Sequence, residues 1–397
     1  MSRSKNIALV FVAPLLALCS SGIASCASTD AGDAREEDAS SVVDPVDAGA
    51  PEADAADAAP PCDPGEPECV SKLLSCEEAD FCPVPSGVDR RYTLRAVWGS
   101  GAGDVWAVGS GGTILRYDGT SWKPVPSGTT DTLLAVWGSG SNDIWVAGST
   151  RTILHGPGTW TPASLFGSGE TYPGRVHTIW GSGPADVRLG GEQFGNFDED
   201  LGSTWGNHAR RVGDAWGVFQ GLDDKYMYAT VRAIWGSSAD DVWMSIDDGI
   251  DQPWARGTLV HGKAPAAGQP LEWSPTDSQS SGVLESIWGS SAADVWAVGA
   301  SGAVRRWATG ATKWTIVDVP TKQSLHGVWG SGPNDVWVVG DAGVILHFDG
   351  TAWAEATVAF PLGKKPSLTG VWGSGPNDVW VVGDGYTLHF NGRKAGK

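Results

Sequence analysis

Short apolar runs separated by polar punctuation fill most of the chain, and they predict strands rather than helices. Leu94-Arg95-Ala96-Val97-Trp98 ends in Gly-Ser, and a polar turn leads into Val105-Trp106-Ala107-Val108-Gly109. The second run alternates and is rich in β-branched and aromatic residues, as a half-buried strand requires. Thr113-Ile114-Leu115-Arg116-Tyr117 reads as a third strand, closed by the tight Asp118-Gly119, and Trp122 opens a fourth. The turn between the first two strands is clearest at Gly332-Pro333-Asn334-Asp335, where Pro and Gly supply backbone angles that other residues resist.

This unit repeats. GVWGSGPNDVWVVGD occurs at residues 327–341 and again, unchanged, at 370–384. The Trp-Gly-Ser core recurs at Trp98, Trp137, Trp180, Trp235, Trp288, Trp329 and Trp372, with spacings of 39, 43, 55, 53, 41 and 43 residues. A period of roughly 40–45 residues is that of a four-stranded propeller blade. The fold class is therefore all-β, a seven-bladed β-propeller. The last repeat stops after Thr387-Leu388-His389-Phe390, without a fourth strand. Residues 81–87, Phe-Cys-Pro-Val-Pro-Ser-Gly, align with 122–128, Trp-Lys-Pro-Val-Pro-Ser-Gly, so an N-terminal outer strand is expected to complete blade 7 and remove a raw sheet edge. The repeated Trp residues read as core between blades. Arg188 stands where blade 3 should carry its second-strand Trp, which marks that blade as the irregular one. Asp104, Asp143, Asp186, Asp241, Asp294, Asp335 and Asp378 recur at the turn exit and are expected to cap it by accepting backbone N–H groups. His155, His261, His347 and His389 recur in the third strand and read as structural.

Charge changes the picture at the N-terminal end. The net charge is −19, and residues 27–82 hold 16 acidic side chains against Arg35 and Lys72, about −14 of that total. Nucleic acid wants a basic stripe and is excluded as a partner. Residues 1–26 have a basic start at Arg3 and Lys5, then an apolar run from Ile7 to Leu18 that is too short to span a membrane, where roughly 20 residues are needed. They read as a signal peptide; the competing reading is a buried N-terminal helix. Ile23-Ala24-Ser25-Cys26 is similar to a lipobox, with Cys26 the lipidation site and new N-terminus; Cys19 fits less well, and ordinary cleavage would leave Cys26 a thiol. Ala27 rather than Asp follows it, which in a two-membrane host addresses the outer membrane.

Residues 27–61, built from Ala, Asp, Pro, Glu and Ser, cannot bury enough apolar surface to order themselves and read as a disordered acidic stalk, with capture of a basic partner as the rival role. Residues 62–82 form a small Cys-rich segment. Cys62, Cys69, Cys76 and Cys82 predict two disulfides with three possible pairings and lack the C-x-x-C of a zinc site. They are expected to staple the stalk to the first blade. The propeller occupies 83–397.

The repeats resemble a family of exported bacterial propeller proteins built on VWGSGPNDVWxVGDxGTILHxDGTxW. The resemblance spans residues 81–390. It implies fold and export, since members of that family are mostly lipoproteins without assigned chemistry. Asp118-Gly119-Thr120-Ser121-Trp122 and Asp349-Gly350-Thr351-Ala352-Trp353 are similar to the Asp-box of other propellers, one residue short. The Gly-His and Trp-Asp dipeptides of WD40 blades are absent.

Two ligand sites suggest themselves. Blade 3 carries a long loop over residues 192–200, with Phe197, Asp198 and Asp200. Blade 4 carries another over 247–254, with Asp247, Asp248, Asp251 and Trp254. Carboxylates mixed with aromatic rings suit a sugar, a basic peptide or calcium, although no EF-hand spacing supports calcium and no cofactor is expected. The plainer alternative is a pair of solvated insertions. The second site is the variable position three residues before each first-strand Trp: Arg95, Leu134, His177, Arg232, Glu285, His326 and Thr369. A small residue always lies beside it, as close packing near an axis requires, so these seven should ring the channel mouth. They could grip an anion or do acid–base work, or they could hold water.

No nucleophile elbow, zinc-protease helix or phosphate loop is present, and the blades lack the cysteine that a copper site with a cysteine–tyrosine crosslink needs. A binding module for an envelope glycan, peptide or protein is the leading reading, monomeric and touching the membrane through its lipid alone. An envelope assembly scaffold, or a glycosidase or lyase using Glu285 with a loop Asp, are the alternatives.

Overall fold

In the computed structural model, the described residues are 62–63, 65–66, 68–150, 152–163, 170–172, 174–198, 202–213, 215–219, 229–247 and 257–392. Seven antiparallel sheets follow one another around an axis. In blade 1 the strands run outward as Leu94–Gly101, Asp104–Gly109, Ile114–Tyr117 and Trp122–Pro124. The first strands of the later blades are Leu133–Gly140, Val176–Gly183, Thr230–Ser238, Leu284–Ser291, Leu325–Gly332 and Leu368–Gly375. Each packs beside the first strands of its two neighbours, and the seventh packs beside the first.

The repeated Trp-Gly pair explains why the ring closes. The Trp98 ring lies over Gly138 of blade 2, Trp137 over Gly181, Trp180 over Gly236, Trp235 over Gly289, Trp288 over Gly330, Trp329 over Gly373 and Trp372 back over Gly99. The second-strand Trp serves the outer part of each interface. Trp106 meets Trp160 of the next blade edge to face, and Trp145–Trp216, Trp243–Trp314, Trp296–Trp353 and Trp380–Trp122 repeat that contact at centroid separations of 5.1–5.8 Å. Edge-to-face geometry suits the quadrupoles of the two rings. One apolar cluster fills each of the seven blade interfaces.

The seven recurrent aspartates do not cap the turn through backbone N–H groups as expected. Each accepts a bond from the third strand: Asp104 from Arg116, Asp186 from Arg210 and Asp294 from Arg306, with His155, His261, His347 and His389 serving Asp143, Asp241, Asp335 and Asp378 at 2.6–3.2 Å. In six blades the Ser of Trp-Gly-Ser donates to the other carboxylate oxygen. The His or Arg also covers the second-strand Trp, stacked at 3.9–4.1 Å for His155, His261, His347 and His389. A charged acceptor with a charged or aromatic donor outcompetes a backbone N–H.

Burial opposes ionisation of Asp335 and Asp378, but bonds from His347 and Ser331, and from His389 and Ser374, outweigh it and hold both pKa values below the ordinary carboxylate value. A folded pKa below the unfolded one gives stability that is present above about pH 4 and is lost as pH falls through the folded value. Urea midpoints should therefore drop as pH falls below about 4, and an Asp335→Asn variant should show a shallower drop. An equal drop in the variant would remove this network as the cause.

The N-terminal strand Cys82–Pro83 completes blade 7, with Cys82 opposite His389 and Pro83 opposite Leu388. The Val84 N–H donates to the Thr387 carbonyl at 2.9 Å. Phe81, fully buried, meets Trp337 edge to face at 5.3 Å and so takes the place that a fourth-strand Trp fills elsewhere. The disulfides are Cys62–Cys69 and Cys76–Cys82. Contrary to expectation, the Cys-rich segment does not tie to the first blade. Cys69–Val70 pairs with Gly363–Lys364, and Asp80 bonds Thr357, both in the connection between blades 6 and 7. The physical reason is packing: the outer strand of a blade leans on the second-strand Trp of the preceding blade, and Phe81 leans on Trp337 of blade 6, so the residues before it lie against blade 6.

Candidate functional site: the channel mouth

The seven variable positions come together. Arg95, Leu134, His177, Arg232, Glu285, His326 and Thr369 all line one cavity of about 270 Å³ at the axis, with the small residues Ala96, Ala135, Thr178, Ala233, Ser286, Gly327 and Gly370 beside them. Each sits one residue into the first strand, or two for Arg232 in blade 4, where the strands crowd together. At Gly370 an added methyl would come within 3.3 Å of Ala96 Cα, which shows how close the backbones run.

The end of the second strand faces this ring and decides its charge. In blade 4 Arg232 binds Asp247 through Nη2 at 2.7 Å and Nε at 3.2 Å. In blade 6 His326 bonds Asp341 at 2.9 Å, and Ser367 donates to the same oxygen at 2.7 Å. Burial raises the Asp341 pKa, but the Ser367 and His326 bonds outweigh it and leave it lowered. In blade 3 His177 lies 3.7 Å from Glu192. Burial and then the Arg232 charge push the His177 pKa down, with Glu192 offsetting only part, so the imidazole is neutral near pH 7. Its Nε2 is buried and has no hydrogen-bond partner among the described residues.

The expected ligand residues thus divide. Arg232 and Asp247 neutralise each other rather than standing free. The chain over 192–198 is not a loop: Asp186–Asp198 is one strand that continues past a register shift and pairs with Gly202–Val212, Phe197 lying opposite Ser203 and Asp198 opposite Gly202. Glu170–Tyr172 adds a fifth strand to this blade by pairing with residues 195–197. The run Ser203-Thr204-Trp205 supplies the β-forming partner that a loop reading overlooks. Asp200, Asp248, Asp251 and Trp254 lie outside the described residues, as does Cys26. Among the described residues no group of three His, Cys, Asp or Glu side chains is placed to hold a metal.

Two features escaped the sequence reading. Glu192 and Asp341 are acids set beside the ring residues His177 and His326, and their position directly after the glycine of the second-strand motif, Gly191 and Gly340, was the available signal. A wide groove of about 1070 Å³ runs between the N-terminal strand and the outer edge of blade 1, lined by Pro85, Val88, Tyr92, Ile114, Trp122 and Pro126 among others. Its two walls are the duplicated Pro-Val-Pro-Ser-Gly segments.

No family profile and no curated protein matches the chain. Solved structures do. YCF48 bound to D1 peptide is 17% identical with a TM-score of 0.57, covering 80% of this chain and 96% of that one. YCF48 from Cyanidioschyzon merolae is 16% identical with a TM-score of 0.56, covering 79% and 99%. The WD40 β-propeller domain of Doa1 is 11% identical with a TM-score of 0.54, covering 78% and 96%. At these identities the likeness shows the fold alone, a β-propeller.

Proposed function

We propose that this chain is an exported propeller, lipid-anchored at Cys26 in the cell envelope, that holds a protein partner at its channel mouth. The observation that carries the reading is the convergence of the seven variable positions on one cavity inside a frame whose other positions repeat. A structural neighbour, YCF48, is described bound to a peptide, which supports a protein rather than a glycan partner. Among the described residues Glu285 is the single carboxylate that lines the cavity, whereas glycoside hydrolysis uses two.

Leu134 is the ring position to test, because it lines the cavity without a charge or a bonded partner. A Leu134→Trp variant should fill the mouth and reduce capture of the envelope partner by at least tenfold. Ile316→Asp, on the outer edge of blade 5 where the side chain is 53% exposed, should leave capture unchanged. Equal capture by wild type and Leu134→Trp would remove the mouth as the working surface. In the same cells the chain should incorporate labelled palmitate and lose it on Cys26→Ser; no incorporation would remove the anchor.

A further inference from the structure

Two charged residues of the ring, Arg95 and Glu285, have no ion-pair partner among the described residues. Three ring bases lie beside an acid 15 residues further on, in or directly after the second strand of their own blade: His177 with Glu192, Arg232 with Asp247, His326 with Asp341. The equivalent residue is Ser110 in blade 1 and Ala300 in blade 5. Arg95 is exposed and Glu285 half-buried, and neither makes a hydrogen bond or ion pair among the described residues. The ring neighbours of Arg95, Leu134 and Thr369, are uncharged; blade 7 follows its second strand with Asp384, which takes its bond from the Thr93 hydroxyl at 2.7 Å rather than from a base. Those of Glu285 are Arg232 and His326, already engaged by Asp247 and Asp341. One ring cation and one ring anion, each without an ion-pair partner, therefore line a single cavity. Blades 1 and 5 are separated by three blades on one side and two on the other, so the two charges face each other across the channel.

Resting on the mouth as the binding surface, we propose that it takes the carboxyl terminus of a peptide ending in lysine, with the terminal carboxylate at Arg95 and the side-chain ammonium at Glu285. The planar guanidinium matches a carboxylate with two parallel N–H donors. A lysine holds its ammonium several bonds away from its own carboxylate, so its two charges can meet two different residues of the ring. An α-ammonium is only two bonds from the carboxylate and would lie beside Arg95, where like charges repel. The α-nitrogen must therefore be acylated, which distinguishes a peptide end from free lysine. A cavity of about 270 Å³ accommodates the terminal residue while the rest of the peptide leaves through the open face.

The test is fluorescence anisotropy with the full chain and an N-terminally labelled Ser-Gly-Ala-Ala-Lys bearing a free carboxylate. Amidating the carboxylate, or replacing the terminal lysine by norleucine, should each weaken binding at least tenfold, the order expected for losing one charge-assisted bond. Arg95→Gln should abolish the difference between acid and amide. Glu285→Lys should reverse the preference, favouring a peptide that ends in Glu, a rescue that a merely structural residue would not give. No binding, or binding indifferent to amidation, overturns the proposal. So does free lysine competing as well as the peptide, which would assign the site to a small amino acid. Loss of partner capture in Leu134→Trp without binding of this peptide would sink the terminal-lysine assignment alone. Capture that survives Leu134→Trp would sink the mouth itself.

Discussion

Replacing Phe81 by Ala is expected to destabilise the propeller by about 3–5 kcal/mol, the usual result of emptying a large aromatic site in a core. Phe81 has no exposed surface and packs on Trp337, Phe390 and the apolar cluster between blades 6 and 7. Its backbone is fixed at both polar groups, the N–H donating to the Thr357 carbonyl and the carbonyl accepting from the Ala359 N–H, each at 3.0 Å. The backbone registration therefore persists while the side chain is lost, and the neighbours cannot collapse into the void. Without the side chain as an anchor the segment also opens more readily by local fluctuation, and each opening frees Cys82–Pro83 and leaves Tyr386–Phe390 as an open edge. Urea unfolding followed by Trp fluorescence should show the fall in midpoint, and amide exchange should speed up in residues 386–390 ahead of the other blades. Leu73→Ala in the same segment, 58% exposed, should stay within about 0.5 kcal/mol. An unmoved midpoint for Phe81→Ala would mean that the N-terminal strand decorates the ring without closing it.

The ring was legible in the sequence because every blade needs the same contact. Seven Trp-Gly-Ser copies at blade spacing leave little choice of architecture, and a constant frame makes the variable positions before each Trp visible as a set. The alignment of residues 81–87 with 122–128 also foretold the closing strand, including Phe81 in the place of Trp122. What could not be read depends on cross-strand register. Asp335 meets Ser331 and His347, which lie 4 and 12 residues away, and only the pairing of the strands brings them together. The acids that neutralise the ring stand 15 residues from their bases in blades 4 and 6, beyond any local pattern. Four cysteines allow three pairings, and nothing in their spacing selects Cys62–Cys69 and Cys76–Cys82. Blade 3 was marked as irregular by Arg188, and the reason is now physical. Its guanidinium is 3% exposed, donates to the Ala239 carbonyl at 2.8 Å and lies 3.4 Å from Asp186. Burial lowers its pKa, and the Asp186 charge offsets part of that.

The second large effect is expected at the glycines under the first-strand Trp rings. A methyl group on Gly330 would lie 2.6 Å from Cη2 of Trp288 and 2.5 Å from the Asp335 carbonyl oxygen. Neither neighbour can yield easily, because the indole is wedged between blades and the carbonyl belongs to the hairpin. Gly330→Ala should therefore destabilise by about 1–3 kcal/mol, the range for forcing extra volume into a packed core. Gly332→Ala, two residues on and with nothing within 4 Å of its added methyl, should be close to neutral. Pairing Gly330→Ala with Trp288→Leu should recover part of the loss, and the shortfall from additivity measures the contact itself. The same substitution at Gly99 tests closure, since the ring above it is Trp372 of the last blade, 2.5 Å from the added methyl. A closed ring makes Gly99→Ala as damaging as Gly330→Ala. A seam that opens in solution would let the Trp372 ring move aside, and tolerance of Ala at Gly99 alone would show that the first and last blades are not held together as the other pairs are.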